Sequence, residues 1–170
     1  MSADFRELFD SLAPALLRYL RRLTGSRGDA EEILQDTFLK LHVQLAGGGD
    51  LNNVRAWLFR VATNEARDLE RARRIRARDD GAAPVATVID FDARLVRQQV
   101  TRQALRRLPR RMRQVLLLWS EGFSYREMAD ITGIEPGYVG VLLQRARAGF
   151  KKEYEHATGI DGGRKRDGLR

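Results

Sequence analysis

Apolar residues recur at intervals of three and four along nearly the whole chain, so the pattern predicts helices rather than strands. Phe5, Leu8, Phe9, Leu12, Leu16 and Tyr19 mark a first amphipathic helix that ends near Leu23. TGSRGD then breaks the period, with Gly25 and Gly28 as punctuation. Ala30, Ile33, Leu34, Thr37, Phe38, Leu41 and Leu45 form the buried stripe of a second helix, from about Asp29, a suitable cap, to Leu45. AGGGDLNN, residues 46–53, is a loop. A third helix starts near Asn53 and runs past Arg74. Val54, Leu58, Val61, Ala62 and Glu65 occupy one side of it, while Arg60, Asn64, Arg67 and Arg71 line up on another.

The period lapses in ARDDGAAPVATVID, residues 77–90, where Gly81, Pro84 and small side chains predict a linker. A second helical unit begins near Phe91 and continues past Pro109 into RMRQVLLLWSEG. Ser124 is placed to cap the next helix, with Glu127 three residues on to close a capping box. Gly133 can take the left-handed conformation of a tight turn, and Pro136 suits the first turn of the helix that follows. Val139, Leu142, Leu143, Ala146 and Phe150 give that helix an inner face. Short helix, turn and longer helix together make a helix-turn-helix pattern, which also occurs in bundles with no DNA function. The expected fold is all-α. Two small helical domains, 1–76 and 91–156, are joined by a flexible linker at 77–90 and followed by a basic disordered tail at 157–170.

Composition narrows the chemistry. With 170 residues and 43% hydrophobic content the chain can bury a core, and no apolar run approaches the length of a membrane span. It has no cysteine, and His42 and His156 stand far apart without a ligand pattern, so no metal or thiol site is expected. The N-terminus lacks the basic start and apolar core of a signal peptide, and a cytoplasmic home is expected. The net charge of +8 is uneven: residues 1–70 hold 9 Arg or Lys against 11 acids, and residues 71–170 hold 22 against 12. A basic back half suggests a polyanionic partner, and the acidic front suggests a different task.

Three surfaces follow from these patterns. Outward from the helix-turn-helix, Tyr138 can donate to phosphate, Val141 can touch a thymine methyl, Gln144 can pair with adenine, and Arg145 can reach guanine or phosphate. Arg102, Arg106, Arg107, Arg110, Arg111 and Arg113 cluster around Pro109, a group suited to phosphates, an acidic protein surface or solvent. On the third helix, arginines beside Trp57 can hold a strand while a ring stacks on an unpaired base, although Trp57 next to Leu58 and Val61 also reads as a core residue. On the second helix, Glu31, Glu32, Gln35, Asp36 and Lys40 form a mostly acidic face that would repel phosphate and suit a protein partner. No nucleophile–base pair or phosphate-cradling loop accompanies these carboxylates, so catalysis and cofactors are not expected.

With these residues in view, the chain resembles the extracytoplasmic-function group of bacterial RNA polymerase sigma factors. DAEEILQDTFLKLH at 29–42 and VRAWLFRVATNEARDLERARR at 54–74 carry the front match; LPRRMRQVLLLWSEGFSYREMADITGI at 108–134 and LLQRARAGFKK at 142–152 carry the back match. The resemblance implies a non-enzymatic factor that binds core polymerase, directs it to promoters and nucleates melting. It implies docking of Glu31, Glu32, Gln35, Asp36 and Lys40 on the clamp helices of the largest subunit, and a further contact at the flap region. It assigns minus-ten DNA to Asn52, Asn53, Trp57, Arg60, Asn64, Arg67 and Arg71. To minus-thirty-five DNA it assigns Arg110, Arg111, Ser124, Tyr125, Tyr138, Val141, Gln144 and Arg145. An anti-sigma partner is implied too, with no residue to identify it, and the linker would thread toward the polymerase active-site and RNA-exit region. The alternatives are a free-standing helix-turn-helix regulator and a polymerase-docking adaptor without promoter selectivity. One departure matters: Gly140 stands where the family commonly has lysine and Leu142 where it has arginine, which predicts a less stringent upstream element.

Overall fold

The computed structural model describes residues 3–49, 51–80 and 93–159, and among these every regular element is a helix. The order is α1 (Ala3–Thr24), α2 (Arg27–Ala46), α3 (Val54–Asp80), α4 (Ala93–Arg107), α5 (Arg110–Ser120), α6 (Tyr125–Thr132) and α7 (Pro136–Thr158). The expected flexible linker at 77–90 is helical through Asp80, as an extension of α3, and its remainder at 81–90 lies outside the described residues. The first residues of the expected disordered tail at 157–170 are likewise helical. α7 continues to Thr158 and closes on Gly159, which takes a left-handed φ of 68°; the rest of the tail lies outside the described residues.

α1, α2 and α3 close around one core, in which Leu16, Leu20, Leu41 and Leu58 have no exposed surface. Removing each from water contributes roughly 2 kcal/mol. Tyr19 is fully buried in the same core, and its hydroxyl lies 2.8 Å from Thr63 Oγ1. Burial pushes the phenol well above its ordinary pKa, so it stays neutral and serves only as a hydrogen-bonding group. α2 starts earlier than the sequence suggests. Ser26, not Asp29, is the cap, its Oγ accepting from the Asp29 N–H at 3.3 Å. The Asp29 carboxylate is claimed instead by Arg73 of α3, at 2.6 Å to one oxygen and closer still to the other. A two-pronged guanidinium contact outcompetes a neutral cap.

α4, α5 and α6 pack around α7, through Leu105, Val115, Leu118, Met128 and Ile131 against Val139, Leu143 and Ala146. The predicted capping box on α6 is complete: the Ser124 hydroxyl accepts from the Glu127 N–H, and the Ser124 N–H donates back to Glu127 at 2.9 Å. Gly133 ends α6 in the left-handed region at φ 69°, where a Cβ would be strained.

The two bundles meet along a seam. Phe123, in the turn between α5 and α6, stacks edge-on to Phe59 of α3 at 4.8 Å, and the Arg55 guanidinium lies 4.0 Å from the Phe123 ring centre. Arg55 also donates to the Glu121 carbonyl. Arg18 of α1 makes a two-pronged contact with the Glu121 carboxylate, at 3.1 and 2.7 Å. The Glu121 side chain is only 6% exposed, whereas that of Arg18 is half exposed.

Candidate functional site

The acidic face of α2 survives folding with one change in character. Glu32, Gln35 and Asp36 are exposed and belong to no ion pair among the described residues. Glu31 is engaged by Arg27 at 2.7 Å and Arg21 at 2.9 Å, which together hold its carboxyl below its ordinary pKa. Lys40 is tied to Glu65 of α3, an ion pair that raises the lysine's pKa. Leu39 and Val43 join the same face at 62% and 64% exposure. At 32, 36, 39 and 43 the residues follow helical spacing, so an apolar strip lies beside the acids. The sequence reading missed this strip because it sought apolar residues only on the inner stripe. The signal was two large aliphatics, four apart, off that stripe.

On α3, Arg60, Arg67 and Arg71 are exposed and Asn64 is half-buried, on one face as expected. Trp57 is half-buried against the core, which favours the core reading over free stacking. Asn52 is exposed. Asn53 is not free: its Oδ1 caps α3 by accepting from the Ala56 N–H at 2.9 Å, and its Nδ2 donates to Glu127 of α6 at 3.1 Å. Ser124 is likewise occupied within its capping box. Arg110 lies in the seam, 3.3 Å from Glu70 of α3, and desolvation lowers its pKa, whereas Arg111 is exposed.

On α7, Tyr138, Val141, Gln144 and Arg145 all face solvent, and Arg145 donates to the Tyr138 hydroxyl at 3.3 Å. The two departures from the family pattern separate here. Leu142 is a core residue, only 5% exposed, so its position subtracts nothing from the outward surface. Gly140 lies under the Tyr125 ring, and a Cβ built there would sit 3.3 Å from Cε2 of that ring. The tyrosine covers the backbone where a longer side chain would emerge. Trp119, 44% exposed, sits beside Arg147, whose guanidinium is 5.1 Å from its ring centre; the sequence reading passed over this pair too.

The described residues contain no group of three or more metal-ligating side chains and no helix long and apolar enough to cross a membrane. Comparison with known families then decides the identity. The Sigma-70 region 2 family matches residues 8–77, and the Sigma-70, region 4 family matches residues 98–148. The chain belongs to the extracytoplasmic-function group of sigma-70 factors. It is 31% identical to the RNA polymerase sigma factor CarQ of Myxococcus xanthus over 153 residues, covering 87% of this chain and 86% of that one. It is 32% identical to the sigma factor SigL of Mycobacterium tuberculosis over 152 residues, covering 85% of each. Its fold superposes on the sigma factor RpoE of Bartonella quintana, solved in complex with the anti-sigma factor NepR. The TM-score is 0.78 at 26% identity, over 94% of this chain and 99% of that one. CnrH in complex with the cytosolic domain of CnrY gives 0.64 at 26% identity, over 89% and 88%. As a sigma factor the chain binds core RNA polymerase and promoter DNA, directs initiation, and performs no covalent chemistry of its own. Matches in both units favour that function over a free-standing regulator or an adaptor.

Proposed function

We propose that three separate surfaces divide the work of initiation. The α2 face, with Glu32, Gln35 and Asp36 beside Leu39 and Val43, docks on the clamp helices of the polymerase largest subunit. Acids there supply orientation, and the aliphatic strip supplies desolvated contact. The α3 stripe of Arg60, Asn64, Arg67 and Arg71 holds the melted minus-ten strand, with Asn52 and Asn53 in the adjoining loop. The outward face of α7, with Arg111 and Tyr125, meets the minus-thirty-five duplex, and α5–α7 also lean on the flap region. The observation that supports this most directly is the separation itself: the acidic-apolar face and the two cationic faces lie on different helices and are exposed.

The seam adds a requirement. Asn53, Arg110 and the α6 cap are engaged between the bundles, so DNA engagement calls for α6 and α5 to leave α3. An anti-sigma partner that favours the closed arrangement would keep the factor idle, and the chain acts in the cytoplasm, where polymerase and promoter are. The test is reconstituted transcription with core polymerase, a randomised promoter pool and sequencing of start sites. Added protein should select a limited promoter set with relaxed preference in the upstream element. Initiation independent of promoter sequence would overturn the reading.

A further inference from the structure

The seam holds a cavity of about 150 Å³, partly open to solvent, with apolar lining from Leu23 and Leu69. Its charged wall is Asp29, Glu70, Arg73, Arg110 and Arg113, drawn from both bundles. Both carboxylates are already engaged. Asp29 faces Arg73 at 2.6 Å, and Glu70 faces Arg74 at 2.6 Å and Arg110 at 3.3 Å. The guanidiniums are not all satisfied: Nη2 of Arg110 and Nε of Arg113 are buried without a hydrogen-bond partner in the protein. Arg113 feels the Glu70 carboxylate against repulsion from Arg106 and Arg74. Arg110 feels the same carboxylate against Arg67 and Arg113. Arginine cannot shed its proton to escape this field, and a desolvated charge without a partner is costly.

We infer that this cavity is a binding site for one tetrahedral oxyanion of the phosphate class, held by Arg110 and Arg113. Its volume equals about five waters, enough for an ion of five heavy atoms. The planar donor fork of arginine matches such an oxyanion, and three cations in the wall against two engaged carboxylates leave an excess positive charge. The ion is either free or the terminal group of a nucleotide. Because α3 and α5 both line the cavity, the ion bridges the bundles and favours their closed arrangement by mass action. It also occupies Arg110, a consequence that rests on the upstream-DNA reading above; binding of the ion does not.

The test is isothermal titration of the full chain with inorganic phosphate and, separately, GTP, each against sodium chloride of matched ionic strength. Saturable binding with one ion per chain is expected, weakened about tenfold to a hundredfold in Arg113→Met. Arg113→Lys should fall between, since it keeps the charge and loses the fork. Arg126→Met, at an exposed arginine of α6 that does not line the cavity, should bind as the unaltered chain does. Tighter binding of phosphate identifies the free ion as the ligand; tighter binding of GTP identifies the terminal group. No saturable binding of either to the unaltered chain overturns the site, as does full binding by Arg113→Met. Neither outcome involves polymerase, so failure here is separable from failure of the initiation reading.

Discussion

Glu127 joins two functions in one side chain: it closes the α6 capping box and accepts from Asn53 across the seam. The Ser124 backbone N–H, then its hydroxyl, hold its carboxyl below its ordinary value, with Asn53 adding to them. A depressed acid contributes stability that is present above its unfolded pKa of about 4.3 and lost as pH falls through the folded value. Glu127→Gln should therefore flatten the acid limb of a stability-versus-pH curve measured by denaturant unfolding, leaving most of the neutral-pH stability in place. At Gly140 the sequence alone registered a missing cation, and only the fold reveals Tyr125 lying over the gap. Gly140→Lys asks that exposed ring to shift by a few tenths of an ångström and restores a charge on the outward face. The slope of log K against log salt for promoter binding by the holoenzyme should steepen by about 0.9 for one added phosphate contact.

At the scale of the helix, α2 shows what periodicity can and cannot disclose. Its inner stripe was legible because six of the seven residues predicted there, from Ala30 to Leu41, are buried; only Leu45 stays half-exposed. Its start was misplaced because a good cap, Asp29, sits three residues behind a better one, and the competitor for Asp29 is Arg73, 44 positions away. No local pattern records such a contact. The capping box of α6 was legible for the converse reason: all its partners lie within three residues. Leu39, exposed and touching no core, should tolerate Leu39→Ser within about 0.5 kcal/mol of stability. The same change should weaken binding to core polymerase about 5- to 30-fold, the effect of one desolvated anchor. A fluorescence titration with core enzyme beside a melting curve checks both halves.

The whole molecule holds what the sequence reading could not supply, namely that two helical units, correctly recognised one by one, face each other. Arg18 and Glu121 are 103 residues apart, and Phe59 and Phe123 are 64 apart. Arg18→Glu would set a second carboxylate against the nearly buried Glu121, a repulsion that opening relieves. X-ray scattering should then give a radius of gyration clearly above that of the unaltered chain, which a compact 170-residue fold places at roughly 15–16 Å. The division of labour between surfaces is tested most directly by abortive transcription with core polymerase, on duplex and on pre-opened promoter DNA, using Asp36→Arg, Asn64→Ala with Arg67→Ala, and Arg145→Ala. The account predicts that Asp36→Arg loses activity on both templates. Asn64→Ala with Arg67→Ala should lose it on duplex and recover substantially on the opened template, and Arg145→Ala should need only a higher DNA concentration on either. Equal losses for all three on both templates would contradict it.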